Sequence, residues 1–97
     1  MGGNIGFLNQ LETIIDDRLS GGDANSYVKG LVSSGLDRVL KKVGEEAGEV
    51  IIAAKNGDKD ELLNESADLL FHLMLVLKSQ GYSIDDVVDI LVKRHVT

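Results

Sequence analysis

From position 7 to position 19 the apolar residues Phe7, Leu8, Leu11, Ile14, Ile15 and Leu19 recur at steps of three and four, which predicts an amphipathic helix. Ser20-Gly21-Gly22-Asp23 ends it. Asn25 or Ser26 caps a short second helix carrying Tyr27, Leu31 and Val32, which Ser34-Gly35 stops. A long helix is predicted from about Leu36 to Lys55. Asn56-Gly57-Asp58 follows as a turn, with Gly57 free to take the positive φ that a helix C-terminus often needs. Asp58 or Asp60 caps the next helix, which runs to about Gln80 and is stopped by Gly81. Ser83 caps the last, with Asp85 and Asp86 in its first turn and Lys93 and Arg94 in its last. No stretch of useful length alternates with period two, and there is no internal repeat or low-complexity linker. The pattern is all-α.

Composition sharpens this reading. The 97 residues suffice for one domain, 1–97, with the glycine-rich residues 1–6 expected to be flexible. So small a domain buries a modest share of its surface and gains from a partner subunit. With no proline, long helices are permitted, and with four aromatics the core is built from Leu, Val, Ile and Ala. Sixteen acidic against ten basic residues argue against a nucleic-acid binder and require a cation to be recruited if polyphosphate is bound. There is no cysteine, hence no thiolate metal site. The apolar run at Leu73-Met74-Leu75-Val76-Leu77 is far too short to span a bilayer, and no secretory leader is recognised; the expectation is a cytoplasmic protein.

The chemistry concentrates in two helices. Glu46 and Glu49 are three apart and share a face, as do Glu65 and Asp68. Folding the helices into a hairpin at Gly57 puts Glu49 eight residues before the turn and Glu65 eight after it; Glu46 and Asp68 lie eleven away. At a helical rise of ~1.5 Å per residue the pairs sit at matched heights, roughly 12 and 16 Å from the turn. In the same register Lys42 faces His72. The stripes Lys42, Glu46, Glu49, Ala53 and Glu65, Asp68, His72, Leu75 are flanked by apolar residues, which suggests that the helices are buried in a larger bundle. Four close carboxylates repel one another unless a cation neutralises them, and oxygen-only ligation selects Mg²⁺, or Mn²⁺ in its place. Helix surfaces are routinely acidic, so spacing alone leaves a solvated-surface reading standing.

Ser26-Tyr27, Leu31, Gly35, Lys41-Lys42-Val43-Gly44-Glu45-Glu46-Ala47, Glu49, Ala53-Ala54-Lys55 and Glu65-Ser66-Ala67-Asp68-Leu69-Leu70-Phe71-His72-Leu73 together resemble the phosphoribosyl-ATP pyrophosphatases, over roughly Leu8 to Arg94. The looser Glu-x-x-Glu and Glu-x-x-Asp frame is similar to that of the wider MazG-type nucleotide pyrophosphatases. Val28 stands where the family often has Thr, and Gly48 where a larger residue is common; the carboxylate frame is untouched. The resemblance implies a MazG-like helical bundle completed by homodimerisation, with metal carried at Glu46, Glu49, Glu65 and Asp68. It implies hydrolysis of phosphoribosyl-ATP to phosphoribosyl-AMP and pyrophosphate, in histidine biosynthesis.

Within that scheme water attacks the α-phosphorus with Mg²⁺ bridging the triphosphate. Glu45 is the candidate for orienting or deprotonating that water, though it also reads as a solvated acid. Lys42, on the carboxylate stripe, is the favoured phosphate contact; Lys41 and Lys55 are further candidates. His72 reads as a substrate contact or as a packed, hydrogen-bonded core histidine, since a hard cation prefers oxygen. Ser26 and Tyr27 are candidates for the nucleotide or ribose pocket, or simply a cap and a packing aromatic. Gly44 and Gly48, each costing about 1 kcal/mol against Ala inside a helix, suggest a close helix crossing or a nearby ligand. Two rivals remain: a pyrophosphatase acting on deoxynucleoside triphosphates, and a non-catalytic helical dimerisation module. A di-iron bundle would need two Glu-x-x-His pairs, and the chain has none.

Overall fold

A computed structural model describes residues 3–20, 30 and 35–96. Their regular elements are four helices: α1 Phe7–Leu19, α2 Leu36–Asn56, α3 Lys59–Ser79 and α4 Ile84–His95. No strand occurs among the described residues, so the all-α expectation holds. The short helix expected after Asn25 lies outside the described residues, as do Ser26 and Tyr27. Residues 3–6 wind into turns whose carbonyls accept from Phe7, Leu8 and Asn9 at the head of α1.

Local chemistry explains the element ends. Gly57 takes φ +66°, and the amides of Gly57 and Asp58 bond back to the carbonyls of Ala54 and Ala53 at 3.2 and 3.1 Å. That paired arrangement satisfies the last carbonyls of α2 and reverses the chain. Asp58, rather than Asp60, then caps α3, its Oδ1 accepting from the Glu61 amide at 3.1 Å. The same device recurs after α3: Gly81 at φ +84° bonds to Lys78, and Tyr82 to Leu77. Ser83 begins α4 with a reciprocal box, its hydroxyl accepting from the Asp86 amide while the Asp86 carboxylate accepts from the Ser83 amide.

The α2–α3 hairpin forms the largest interface, and α1 packs across α3 and α4. A small core lies at the end of the hairpin remote from Gly57. Ile15 of α1, Val39 of α2, Met74 and Leu75 of α3 and Ile84 of α4 are buried there, with Leu8, Leu11, Leu19, Phe71, Val76 and Leu77 against them. Two polar contacts tie α1 in place. Lys78 pairs with Asp16 at 3.1 Å. Glu12, only 8% exposed, accepts from the Ile84 amide at 2.6 Å. Ile84 is the first residue of α4, so a carboxylate of α1 satisfies one of the orphan donors at that helix's positive end.

Burial along α2 and α3 is narrower than their composition suggests. Ala53 is buried, but Ile51 is 64% and Ile52 55% exposed, and Leu63 of α3 is 57% exposed. The expectation that these helices are buried nearly all round is therefore met on one face only within a single chain. No helix of the described residues is long and apolar enough to cross a membrane.

Candidate functional site

The α2–α3 hairpin carries all four frame acids. Glu46 and Glu65 are partly buried, while Glu49 and Asp68 are exposed. The carboxyl of Glu65 is held above its ordinary value of 4.5, first by desolvation and then by repulsion from Asp68, Glu61, Glu49 and Glu46. Glu65 thus feels the other three frame acids. Glu61, four residues before Glu65, adds a further acid that the spacing argument passed over. Glu49, Glu65 and Asp68 have no ion-pair partner among the described residues.

Glu46 is placed differently. His72 Nδ1 lies 2.6 Å from Glu46 Oε1 and 2.9 Å from the backbone carbonyl oxygen of Asp68. Both partners are acceptors, so Nδ1 carries the hydrogen and donates to them. The pair is sheltered, with the side chains of His72 and Glu46 7% and 12% exposed. The ring of Phe71 meets that of His72 edge-on, with centroids 5.3 Å apart.

The hairpin count sets Lys42 opposite His72, yet the side chain of His72 bonds to Glu46. Glu46 stands eleven residues from Gly57 and His72 fifteen, an axial offset of about 6 Å. Helical side chains lean toward their own N-terminus. In an antiparallel hairpin Glu46 therefore leans away from the turn and His72 toward it, and the two meet between their levels. Lys42 is half-buried and has no ion pair among the described residues; Lys41, Lys55 and Glu45 are exposed.

A tight crossing among the described residues does not account for Gly44 and Gly48: a Cβ built at either meets none of their atoms within 4 Å. A partly open hollow of about 160 Å³ lies at the turn end, lined by Glu49, Ile52, Ala53, Asn56, Asp58 and Glu61. It is smaller than the roughly 300–1,000 Å³ of typical ligand sites and includes only one of the four frame acids.

The donor set suits a hard divalent cation: oxygen only, acidic, partly desolvated and self-repelling. Among the described residues, however, no three histidines or carboxylates are close enough together to hold an ion. The fit is one of donor chemistry, with the donors carried on two packed helices.

Residues 8–95 match the family model described as phosphoribosyl-ATP pyrophosphohydrolase. Over 90 residues the chain is 51% identical to the histidine biosynthesis bifunctional protein HisIE of Bacillus subtilis, covering 93% of this chain and 43% of that protein. It is 48% identical over 93 residues to the protein of the same name from Thermus thermophilus, covering 95% and 44%. With the Vibrio vulnificus protein it shares 47% over 89 residues, covering 92% and 42%. The chain thus spans less than half the length of these curated relatives.

Proposed function

Because this chain belongs to the phosphoribosyl-ATP pyrophosphohydrolase family, we propose that it hydrolyses phosphoribosyl-ATP to phosphoribosyl-AMP and pyrophosphate, a step of histidine biosynthesis, as a cytoplasmic enzyme. The observation that carries the reading is the acidic group on the α2–α3 hairpin, in which a partly buried Glu65 is desolvated and repelled by Asp68, Glu49 and Glu46. A divalent cation would relieve the repulsion on Glu65.

Glu46, Glu49, Glu65 and Asp68 would hold Mg²⁺, or Mn²⁺ in its place. When bound, the ion would neutralise triphosphate oxygens and polarise the α-phosphorus. Lys42, one turn before Glu46 on the same helix, contacts a phosphate oxygen and supplies fixed positive charge to an acidic protein. Lys41, Lys55, Ser26 and Tyr27 belong to the wider substrate surface. Glu45 orients the attacking water and accepts its proton. As the new bond to the α-phosphorus forms, the bond to the bridging oxygen breaks and pyrophosphate departs with that electron pair.

A second copy of the chain completes the bundle in this reading. Support comes from the exposed apolar side chains Leu36, Leu40 and Ile51 on α2 and Leu63, Leu70 and Leu73 on α3. Exposed apolar side chains in this number suit a partner surface.

The test is pyrophosphate release from phosphoribosyl-ATP, with Mg²⁺ omitted as control and a panel of deoxynucleoside triphosphates as competing substrates. Glu46→Gln is expected to abolish the Mg²⁺-dependent turnover with helix content retained. Full turnover in that variant removes Glu46 from the cation site, and preferential cleavage of a deoxynucleotide overturns the substrate assignment.

A further inference from the structure

We infer that His72 is a positioning residue: its Nδ1–H, shared between Glu46 Oε1 and the Asp68 backbone carbonyl, holds the Glu46 carboxylate in the orientation that cation binding requires. The inference rests on the reading of Glu46 as a cation donor.

Three features support it. One imidazole nitrogen faces two acceptors from different helices, so it couples the carboxylate of α2 to the backbone of α3 at Asp68, itself a frame residue. The contact is shielded from water, with side-chain exposures of 7% for His72 and 12% for Glu46. A hydrogen bond to a carboxylate in such a setting is short and strong, and it restricts the rotamers of a flexible Glu before any ligand arrives. Finally, the bond engages one carboxylate oxygen, Oε1, and leaves Oε2 to serve a ligand. Carboxylates that bind metals are commonly oriented by such partners, whose loss costs about 10–100-fold in metal affinity. His72 thereby differs from a histidine that merely fills the core: its polar atom acts on a functional side chain.

The experiment is a Mn²⁺ titration of the full chain by calorimetry, with a thermal melt and circular dichroism of each variant. His72→Phe keeps the ring volume and removes the donor. His72→Asn keeps an N–H near the place of Nδ1–H. Glu46→Gln reports on the cation site itself. His72→Phe is expected to weaken Mn²⁺ binding by about 10–100-fold, His72→Asn to recover most of it, and Glu46→Gln to lose it. Wild-type affinity in His72→Phe alongside loss in Glu46→Gln overturns the positioning role and leaves the site reading intact. Weaker binding in His72→Asn than in His72→Phe makes His72 a packing residue and also overturns it. Wild-type affinity in Glu46→Gln defeats the site reading, and the inference with it. If His72→Phe fails to fold, the nitrogen-15 spectrum of the wild-type imidazole decides. A protonated Nδ1 is expected, and an unprotonated Nδ1 refutes the inference.

Discussion

Glu12 offers the sharpest test of how the helices are held together. Its carboxylate is 8% exposed and accepts from the Ile84 amide at 2.6 Å, across 72 residues of sequence. Replacement by Leu keeps comparable bulk but leaves a buried N–H without an acceptor, at a cost of about 1–3 kcal/mol. It also withdraws an anion from the positive end of α4, a further ~0.3–1 kcal/mol. Relief of the carboxylate's own desolvation offsets part of this, so a net loss of about 2 kcal/mol is expected. For a domain of 97 residues, ~1 kcal/mol corresponds to roughly 4–8 °C in Tm. Glu12→Leu should therefore melt roughly 8–16 °C lower, while Glu12→Gln, which retains an oxygen acceptor, should lose less than half as much. The assay is thermal unfolding followed at 222 nm, at one protein concentration because subunit association shifts Tm. Amide exchange at Ile84 provides a local readout, with protection lost in the Leu variant. If Glu12→Leu proves as stable as Glu12→Gln, the hydrogen bond is not what secures α4 and the reasoning fails.

Glu65→Gln should raise the Tm of the metal-free protein at pH 7, because it removes the carboxyl whose pKa is lifted by desolvation and by neighbouring acids. The sign follows from linkage: a carboxyl with a raised folded-state pKa destabilises the fold above that pKa, so the variant's advantage should shrink as pH falls through it and vanish below 4.5, the ordinary value. An advantage that persists at lower pH, or none at pH 7, counts against desolvation and repulsion at Glu65. Gly57→Ala should cost about 1 kcal/mol from the positive φ alone, since a Cβ there meets no atom of the described residues within 4 Å. A loss several times larger, measured by urea unfolding, would mean that a partner surface packs against the turn.

Much of this molecule is legible in its residue pattern because the information is local. The three-four spacing that marks α1, the glycines after α2 and α3, and the Ser83 cap with acids behind it each act within a few residues of themselves. Helix periodicity also puts Glu46 with Glu49 and Glu65 with Asp68 on single faces, and the central turn at Gly57 brings the other three near enough to act on Glu65. Nothing in that pattern singles out Glu12, an acid in a helix rich in polar residues, as the cap of a helix 72 residues away. The pairing of Glu46 with His72 was equally hidden, because counting from the turn ignores the opposite tilts of side chains on antiparallel helices. The close helix crossing suggested by Gly44 and Gly48 is likewise not found among the described residues, since a glycine records that a side chain is missing but not what occupies the space. Short-range backbone preferences therefore determined where the helices begin and end. Which acid is buried, which is held by a hydrogen bond and which is left to repel its neighbours was decided only when the helices packed, since burial and field depend on atoms that sequence distance does not order.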